Sequence, residues 1–257
     1  MQTHINFKRH KDIVTLTFAH EEAGKPPTLD LDVLERLSDV LERIEEDHEG
    51  LRAVVVRSNS EKYFVVGADI NALRDMDTNT MVSWVQRGHE VFNVLSELSL
   101  PVIAWVEGYA LGGGLELALA CDLILATDNA KLGQPEAKLG LVSAWGGSHR
   151  LPRRVGLAKA KEMFFTGNIL DARSAYDFGL VDYVGIREAV QKYLDQILDG
   201  IRNCSPLAVA QLKLLLDDSL DTTIDENSLA EASASIRCMN SANTRQRIED
   251  FLTRRPH

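Results

Sequence analysis

The sequence predicts an α/β domain followed by a mainly helical C-terminal third. Short apolar runs rich in β-branched residues, such as LRAVVVRS, PVIAWVEG and DLILATD, are typical of strands that are covered on both faces. Helical stretches lie between these runs, and strands that alternate with helices indicate parallel α/β units. After Gly147 the pattern becomes mainly helical as far as the final segment, FLTRRPH.

The elements before Gly147 follow from local patterns. The first predicted strand is DIVTLTFAH, in which apolar and polar residues alternate. A turn, AGKPPT, separates it from LDLDVLERLSDVLERIEED, which has apolar residues at helical spacing and acids on the outer face. The next predicted helices are NTMVSWVQRGHEVFNVLSEL and the glycine-led GGGLELALACD.

Length, charge and cysteine spacing exclude several classes of protein. A length of 257 residues suits one large domain or two small ones, and the formal net charge of −10 argues against a general nucleic-acid binder, which needs basic surface. Cys121, Cys204 and Cys238 lie far apart without a CxxC pair, so neither a disulfide nor a zinc site is expected. The N-terminus lacks a signal-peptide core, and no apolar run is long enough to span a membrane. We therefore expect a cytoplasmic protein without membrane contact.

Glu116 is unusual among its neighbours. It lies within GYALGGGLELALACDL, a stretch made mostly of glycine, alanine and leucine. A charged carboxylate in such surroundings destabilises the fold by several kcal/mol unless it is paired. A partner or a chemical role for Glu116 is therefore expected.

Three glycine-containing stretches each follow a predicted strand: KYFVVGADI, GYALGGGLE and KLGQPEAKLGL. Glycine permits sharp turns, and amides at the start of a helix lack an intrahelical acceptor, so they can bind developing negative charge. Two such amides directed at one point would form an oxyanion hole. Each stretch also has a structural interpretation: an aspartate N-cap, close packing before a helix, and a helix start led by proline. The phosphate-loop and dinucleotide-binding patterns are both missing from the sequence.

In their order and spacing, KxFxxGADI, GxxxGGGxELALACD and GQPExxLGL resemble the enoyl-CoA hydratase/isomerase (crotonase) family. The similarity runs from the first strand to about Val184 and thins out in the C-terminal helices. It implies a crotonase-like spiral of ββα units over residues 1–195 and a helical trimerisation region over residues 196–257. It also implies a homotrimer or a hexamer built as a dimer of trimers.

The resemblance assigns roles to site residues. Family members bind acyl-CoA thioesters and stabilise an enolate at the thioester oxygen, so the backbone amides of Ala68 and Gly113 are expected to form the oxyanion hole. No metal is implied, and no cofactor beyond the coenzyme A of the substrate. The residues expected to contact the substrate, besides those two amides, are Asp69, Ile70, Asn71, Ala144, Trp145, Phe251 and Arg254. Of these, the last two correspond to family residues that reach coenzyme A from a neighbouring subunit.

Glu116 and Glu136 correspond to the two catalytic glutamates of family members with hydratase activity. Hydration of a C2–C3 double bond needs one group to take a proton from water and one to deliver a proton to C2. Two carboxyls in a desolvated cleft tend to share a proton, with their pKa values pushed apart. We expect Glu136 to protonate C2 and Glu116 to hold and activate the water, which explains why Glu116 is kept; the two may also act as a unit.

The loop after LGL departs from the family pattern. A proline-glycine pair, a small residue and two glycines are usual there, whereas this chain has VSAWGG over residues 142–147. The Ala144 amide can still donate to the catalytic water. Trp145 either shapes the acyl pocket and restricts chain length or packs against the helix behind it. Before the final phenylalanine, ANTRQRIED replaces the acid-glycine pair that is usual in the family.

The predicted function is hydration of a 2-enoyl-CoA in fatty acid metabolism. Alternatives are a 3-enoyl to 2-enoyl-CoA isomerase, an acyl-CoA hydrolase that uses the same oxyanion hole, and a catalytically silent CoA-ester- or RNA-binding protein. Isomerisation needs only one carboxylate, so two glutamates favour hydration. The acidic charge and the lack of a basic, aromatic stripe disfavour RNA. Straight, branched and ring-containing acyl groups all stay open.

Overall fold

The computed structural model describes residues 3–74 and 76–253. Ten strands form two sheets. The large sheet has the order β1-β2-β3-β5-β7-β10, and all its neighbours are parallel except the β1/β2 pair. Its strands are β1 (Thr3–His10), β2 (Ile13–His20), β3 (Ala53–Ser58), β5 (Val102–Val106), β7 (Leu123–Thr127) and β10 (Tyr183–Gly185).

The small sheet has four short strands in the order β4-β6-β8-β9. The β4/β6 and β6/β8 pairs are parallel, and β8/β9 is antiparallel. Its strands are β4 (Tyr63–Val65), β6 (Tyr109–Leu111), β8 (Lys131–Gly133) and β9 (Ile169–Asp171).

Helices follow the strand pairs and then dominate the C-terminal part of the chain. The described helices are α1 (Leu31–Glu46), α2 (Ile70–Arg74), α3 (Thr78–Glu97), α4 (Gly113–Leu119), a 3-10 turn (Glu136–Leu139), α5 (Gly147–Val155), α6 (Leu157–Thr166), α7 (Ala172–Asp177), α8 (Arg187–Asn203), α9 (Pro206–Asp218), α10 (Ile224–Asn240) and α11 (Ala242–Thr253).

The order of the elements confirms the predicted spiral of ββα units. From β3 to β8, each turn of the chain sends one strand to the large sheet, the next to the small sheet, and then forms a helix; in the last turn β9 joins the small sheet before β10 joins the large one. The central strands β3 and β5 are buried because helices cover both faces of the large sheet. On one face, Val190, Leu194 and Leu198 of α8 pack against the sheet; on the other, α1, α3 and α4 enclose the main core.

The sequence patterns missed β1. It pairs in antiparallel register with β2 through a tight hairpin in which His10 lies opposite Ile13. Lys11 at the turn has a φ of 54°, and the Asn-Gly or Asp-Gly pair that marks such hairpins does not occur there. The parallel units expected from the sequence therefore do not include this edge or β9, where the strand pairs are antiparallel.

The C-terminal part is helical, as predicted. The predicted boundary at residue 195 falls inside α8, which continues to Asn203. The division of the chain into two regions stays a prediction. Among the residues that the structure describes, no helix is long and apolar enough to cross a membrane.

The closest approach between α3 and the loop before α5 occurs at Gly88. A Cβ atom at this position would lie 2.0 Å from both Cδ1 and Nε1 of Trp145. Contacts that short do not exist between real atoms, so the indole occupies the space that a side chain at residue 88 would take. Gly200, within α8, has no atom within 4 Å of an added Cβ.

We expect Gly88→Ala and Gly200→Ala to change stability in opposite directions. Alanine is the better helix former by up to about 1 kcal/mol, and Gly200→Ala should gain part of that. Gly88→Ala should lower the free energy of unfolding by about 1–3 kcal/mol, because the indole must move. Denaturant unfolding of both variants checks this. A stabilised Gly88→Ala protein would contradict the packing described for Trp145.

Candidate active site

Three strands of the small sheet end at one edge, and the chain after each of them lines a common cavity. Strand β4 leads into Gly67 and Ala68, β6 into Gly112 and Gly113, and β8 into the segment that carries Glu136. Neighbouring parallel strands bring the loops at their carboxyl ends together. This cavity, which is open to solvent on one side, measures about 100 Å³.

The loop after β4 is held by a single parallel bridge to Leu29. Leu29 N donates to Gly67 O at 2.9 Å, and Asp69 N donates to Leu29 O at 3.0 Å. Because successive peptide groups of an extended chain point to opposite sides, the amide of Ala68 is directed away from Leu29. Ala68 lines the cavity, so this amide is in place to donate to a ligand there.

Gly113 supplies a second amide at the start of α4. It is the first helical residue, and amides in the first turn lack an intrahelical acceptor. The loop after β4 lies against it, since a Cβ atom on Gly67 would be 3.6 Å from Gly113 N. Gly112, with a φ of 54°, makes the turn into the helix, and a Cβ atom there would lie 3.1 Å from Glu136 Oε1 and crowd that carboxyl. The two predicted oxyanion-hole residues are therefore adjacent.

Glu116 is only 2% exposed, and three donors converge on its Oε1 atom. Ser143 Oγ donates at 2.6 Å, and the backbone amides of Trp145 and Gly147 each donate at 2.8 Å. Gly146 adopts the left-handed conformation with a φ of 101°, which turns successive amides towards the carboxylate at the start of α5. These bonds offset the loss of hydration of the buried carboxyl group. They explain how the fold tolerates Glu116 among apolar neighbours, which the sequence predicted to be destabilising.

Glu136 has a different environment. It begins the 3-10 turn after Pro135, is partly buried, and lines the same cavity. Burial raises the pKa of this carboxyl to about 7; its own backbone amide acts in the opposite direction, and the charge of Glu116 raises the pKa further. Gln134 is fully buried beside it. With its amide nitrogen facing Glu136, Gln134 donates to the two carboxyl oxygens at 2.7 and 3.1 Å.

The two carboxyls thus suit different tasks. A carboxylate fixed at one oxygen by three donors leaves the other oxygen as an acceptor for water. A carboxyl with a pKa of about 7 is in part protonated at neutral pH and can give up a proton. One cavity therefore holds a proton acceptor, a proton donor and two adjacent amides.

Trp145 packs as a core residue, which is one of the two interpretations that the sequence left open, and its effect on the acyl pocket stays a prediction. It is buried, and its ring packs against Trp84 and Phe92 with centroid distances of 4.3 and 5.6 Å. It also lines the cavity, next to Gly113. Ala144 lines the cavity as well, and its predicted contact with a catalytic water stays a prediction.

The remaining predicted contact residues lie further from the cavity. Ile70 is 54% exposed at its rim, whereas Asp69 and Asn71 are not part of its wall. Asp69 instead caps the short helix α2, accepting a bond from Asn71 N at 2.8 Å. Phe251, on α11, is 77% exposed and away from the cavity of its own chain. Arg254 lies outside the described residues, so both contacts across a subunit boundary stay predictions.

Several site residues were missed from the sequence. Gln134 and Ser143 bond directly to the two glutamates, and nothing in local periodicity marks either one. Gln134 was within the GQPE motif, so its adjacency to Glu136 was an available signal. Trp84 was interpreted as a core residue, but it also lines the cavity. The other apolar wall residues are Leu73, Leu139, Leu141 and Val142.

Comparison with known proteins identifies the family and agrees with the fold. The family model described as enoyl-CoA hydratase/isomerase matches residues 9–257. A short-chain-enoyl-CoA hydratase of Clostridium acetobutylicum is 35% identical over 227 residues, which cover 88% of this chain and 87% of the relative. A crotonyl-CoA hydratase of Syntrophomonas wolfei is 33% identical with the same coverage. A solved enoyl-CoA hydratase/isomerase from Cupriavidus metallidurans superposes with a TM-score of 0.89 and 30% identity, covering 98% of this chain and 94% of that one.

The raised pKa of Glu136 predicts how its removal affects stability. A carboxyl whose pKa rises on folding stabilises the protein at low pH, and that contribution is lost as the pH increases from about 4.5 to about 7. Glu136→Gln has no carboxyl at this position, so its stability does not fall in this pH range for that reason. We therefore compare the difference in melting temperature, Glu136→Gln minus wild type, at two pH values. We expect this difference to be about 2–4 °C larger at pH 8 than at pH 5.

Glu42→Gln, which removes the same charge from the exposed face of α1, is the control for a general charge effect. Calorimetry of the three proteins at both pH values is the measurement. If the change in relative melting temperature between the two pH values is no larger for Glu136→Gln than for Glu42→Gln, burial does not raise the pKa of Glu136.

Proposed function

The chain belongs to the enoyl-CoA hydratase/isomerase family, and on this premise we propose that it adds water to a 2-enoyl-CoA to give a 3-hydroxyacyl-CoA. The observation that carries the proposal is the pair of carboxyls in one cavity with unlike surroundings. Glu116 is fixed by three donors to one oxygen, and Glu136 has a pKa raised to about 7 by burial. Water addition needs both a proton acceptor and a proton donor.

The amides of Ala68 and Gly113 receive the thioester carbonyl oxygen in this mechanism. Negative charge develops on that oxygen when a nucleophile adds to C3, and preorganised donors stabilise it without reorganisation. Removal of one such donor typically lowers the rate by roughly 10²–10³. Both donors are backbone groups on glycine-containing loops, so side-chain substitution cannot delete them, although it can displace them.

Glu116 and Glu136 divide the proton transfers. The free oxygen of Glu116 accepts a proton from water while the water oxygen bonds to C3. The carbon–carbon π electrons move to the thioester oxygen as an enolate, which then collapses as C2 takes the proton of Glu136. The product gains one water in total. Glu116 is left protonated and Glu136 ionised, and a proton exchange with solvent restores the starting state.

Substitution of either glutamate by glutamine should stop hydration and leave the fold intact. We expect Glu116→Gln and Glu136→Gln each to lower kcat for crotonyl-CoA by about 10²–10⁴, because a required proton acceptor or donor is lost. Loss of the conjugated enoyl absorbance gives the rate. Chromatography identifies the product, since an isomerase would form a conjugated enoyl thioester from a 3-enoyl substrate and a hydrolase would release free coenzyme A.

Glu107→Gln is a matched control. Glu107 is also a buried glutamate, but it pairs with Arg187 at 3.3 Å and Arg57 at 3.8 Å, outside the cavity. Its variant should keep wild-type kcat. If wild type hydrates no enoyl thioester, or if both active-site variants retain full activity, the proposed function is wrong.

We also propose that the chain assembles into a homotrimer or a pair of trimers. The support is the set of exposed apolar side chains on its last two helices, because exposed apolar surface of this kind marks protein–protein contacts. The side chains concerned, each more than half exposed, are Ile224, Leu229, Ile236, Met239, Phe251 and Leu252.

The assembly is tested by light scattering during size-exclusion chromatography. Three or six times the chain mass of 28.5 kDa is expected. Leu229→Lys, on the exposed face of α10, should shift the mass towards that of a single chain, because a buried lysine would lack a partner. A wild-type protein that elutes with the mass of one chain would contradict the assembly.

A further inference from the structure

Trp145 forms the inner wall of the cavity at the level of the oxyanion-hole amides. Its indole lies between two helices at their glycines, Gly88 of α3 and Gly113 of α4. A Cβ atom on Gly113 would lie 2.6 Å from Cζ3 and 2.8 Å from Cε3 of the ring. Gly113 and Trp145 line the same cavity, so an acyl chain whose thioester oxygen is bound by Gly113 lies close to Trp145.

The indole is fixed in this position. Its Nε1 donates to the backbone oxygen of Trp84 at 3.3 Å, and the rings of Trp84 and Phe92 pack against it. Behind it, α3 approaches so closely at Gly88 that the indole has no space to withdraw. Its backbone is fixed too, because the Trp145 amide donates to Glu116. A shift of the Trp145 backbone would therefore break a hydrogen bond to Glu116.

The space that this wall leaves is small. The cavity holds about 100 Å³, whereas an apolar cavity of roughly 150 Å³ is what accommodates a benzene ring. This volume is closer to that of a short aliphatic chain than to that of a ring or of a chain of about eight carbons. A longer acyl group would need the indole to leave.

The wall is also uncharged. Apart from Glu116 and Glu136, the described residues that line the cavity are apolar or glycine, and none of them carries a positive charge. A second carboxylate at the far end of an acyl group would be buried there without a partner, close to two existing carboxyls. Both desolvation and repulsion oppose that arrangement.

We infer that Trp145, held in place by Gly88, limits the substrate to short, uncharged 2-enoyl thioesters such as crotonyl-CoA. The inference rests on the proposed hydratase function and names its substrate class. A hydrophobic wall that fits one chain length discriminates against one additional methylene by about 10- to 200-fold in kcat/KM. We expect the discrimination against an acyl group with several additional methylenes to be at least that large.

The test compares kcat/KM for crotonyl-CoA, 2-octenoyl-CoA and glutaconyl-CoA, whose acyl group ends in a carboxylate. Wild type should prefer crotonyl-CoA over each of the others by at least about 100-fold. Trp145→Ala should reduce the preference over 2-octenoyl-CoA at least tenfold, mainly by improving turnover of the longer thioester. It should not improve turnover of glutaconyl-CoA, since the new wall is still apolar.

Trp105→Ala is the matched control. Trp105 is equally buried, but it belongs to the cluster between the large sheet and α8 and does not line the cavity. Its variant should lose stability yet keep wild-type selectivity. If Trp145→Ala does not fold, Trp145→Leu removes less side-chain volume. We expect it to change the selectivity between crotonyl-CoA and 2-octenoyl-CoA in the same direction by a smaller factor.

Each outcome decides a separate question. Equal kcat/KM of wild type for crotonyl- and 2-octenoyl-CoA would overturn the inference and leave the hydratase function standing. Unchanged selectivity in both folded Trp145 variants would show that the indole is only a core residue. No hydration of any thioester by wild type would overturn the proposed function itself.

Discussion

Three hydrogen bonds to a single oxygen of Glu116 are the constraint on which the site depends. A buried carboxylate among glycine, alanine and leucine is tolerated only because Ser143 and the amides of Trp145 and Gly147 surround Oε1. Those donors come from one loop, residues 143–147, so the carboxylate also determines where that loop lies. Catalytic charge and loop conformation are thereby coupled.

The same loop connects chemistry to substrate choice. The first of its two amide donors belongs to Trp145, whose indole lies against α3. Space for the indole exists because residue 88 is glycine, and close contact with α4 exists because residue 113 is glycine. In the mechanism that we propose, Trp145 therefore holds Glu116 in position through its backbone amide and limits the acyl group through its indole. A substitution of the side chain leaves that amide in place, so it changes the width of the pocket without removing the bond to Glu116.

Features that depend on short sequence motifs could be predicted, whereas those that depend on contacts between residues far apart in the chain could not. The motifs around Ala68, Gly113 and Glu136 each follow a short strand, so their meeting at one sheet edge could be anticipated. Ser143 bonds to Glu116 from 27 positions away, and Gln134 is recognised as a partner only once its side chain is seen beside Glu136. Strand β1 was missed because its hairpin turns at Lys11 without the usual turn residues. Periodicity identified the helix that carries Trp84, but periodicity alone cannot distinguish a core residue from a cavity wall.

The central claim is that Glu136 is the proton donor, because burial raises its pKa to about 7 and leaves it partly protonated near neutral pH. Difference infrared spectroscopy measures this most directly, because an un-ionised carboxylic acid has a carbonyl band that a carboxylate lacks. The account predicts such a band at pH 6 that titrates away with a midpoint of about 7 and is missing in Glu136→Gln. A wild-type spectrum without the band at pH 6, or a band that persists in Glu136→Gln, would contradict the account.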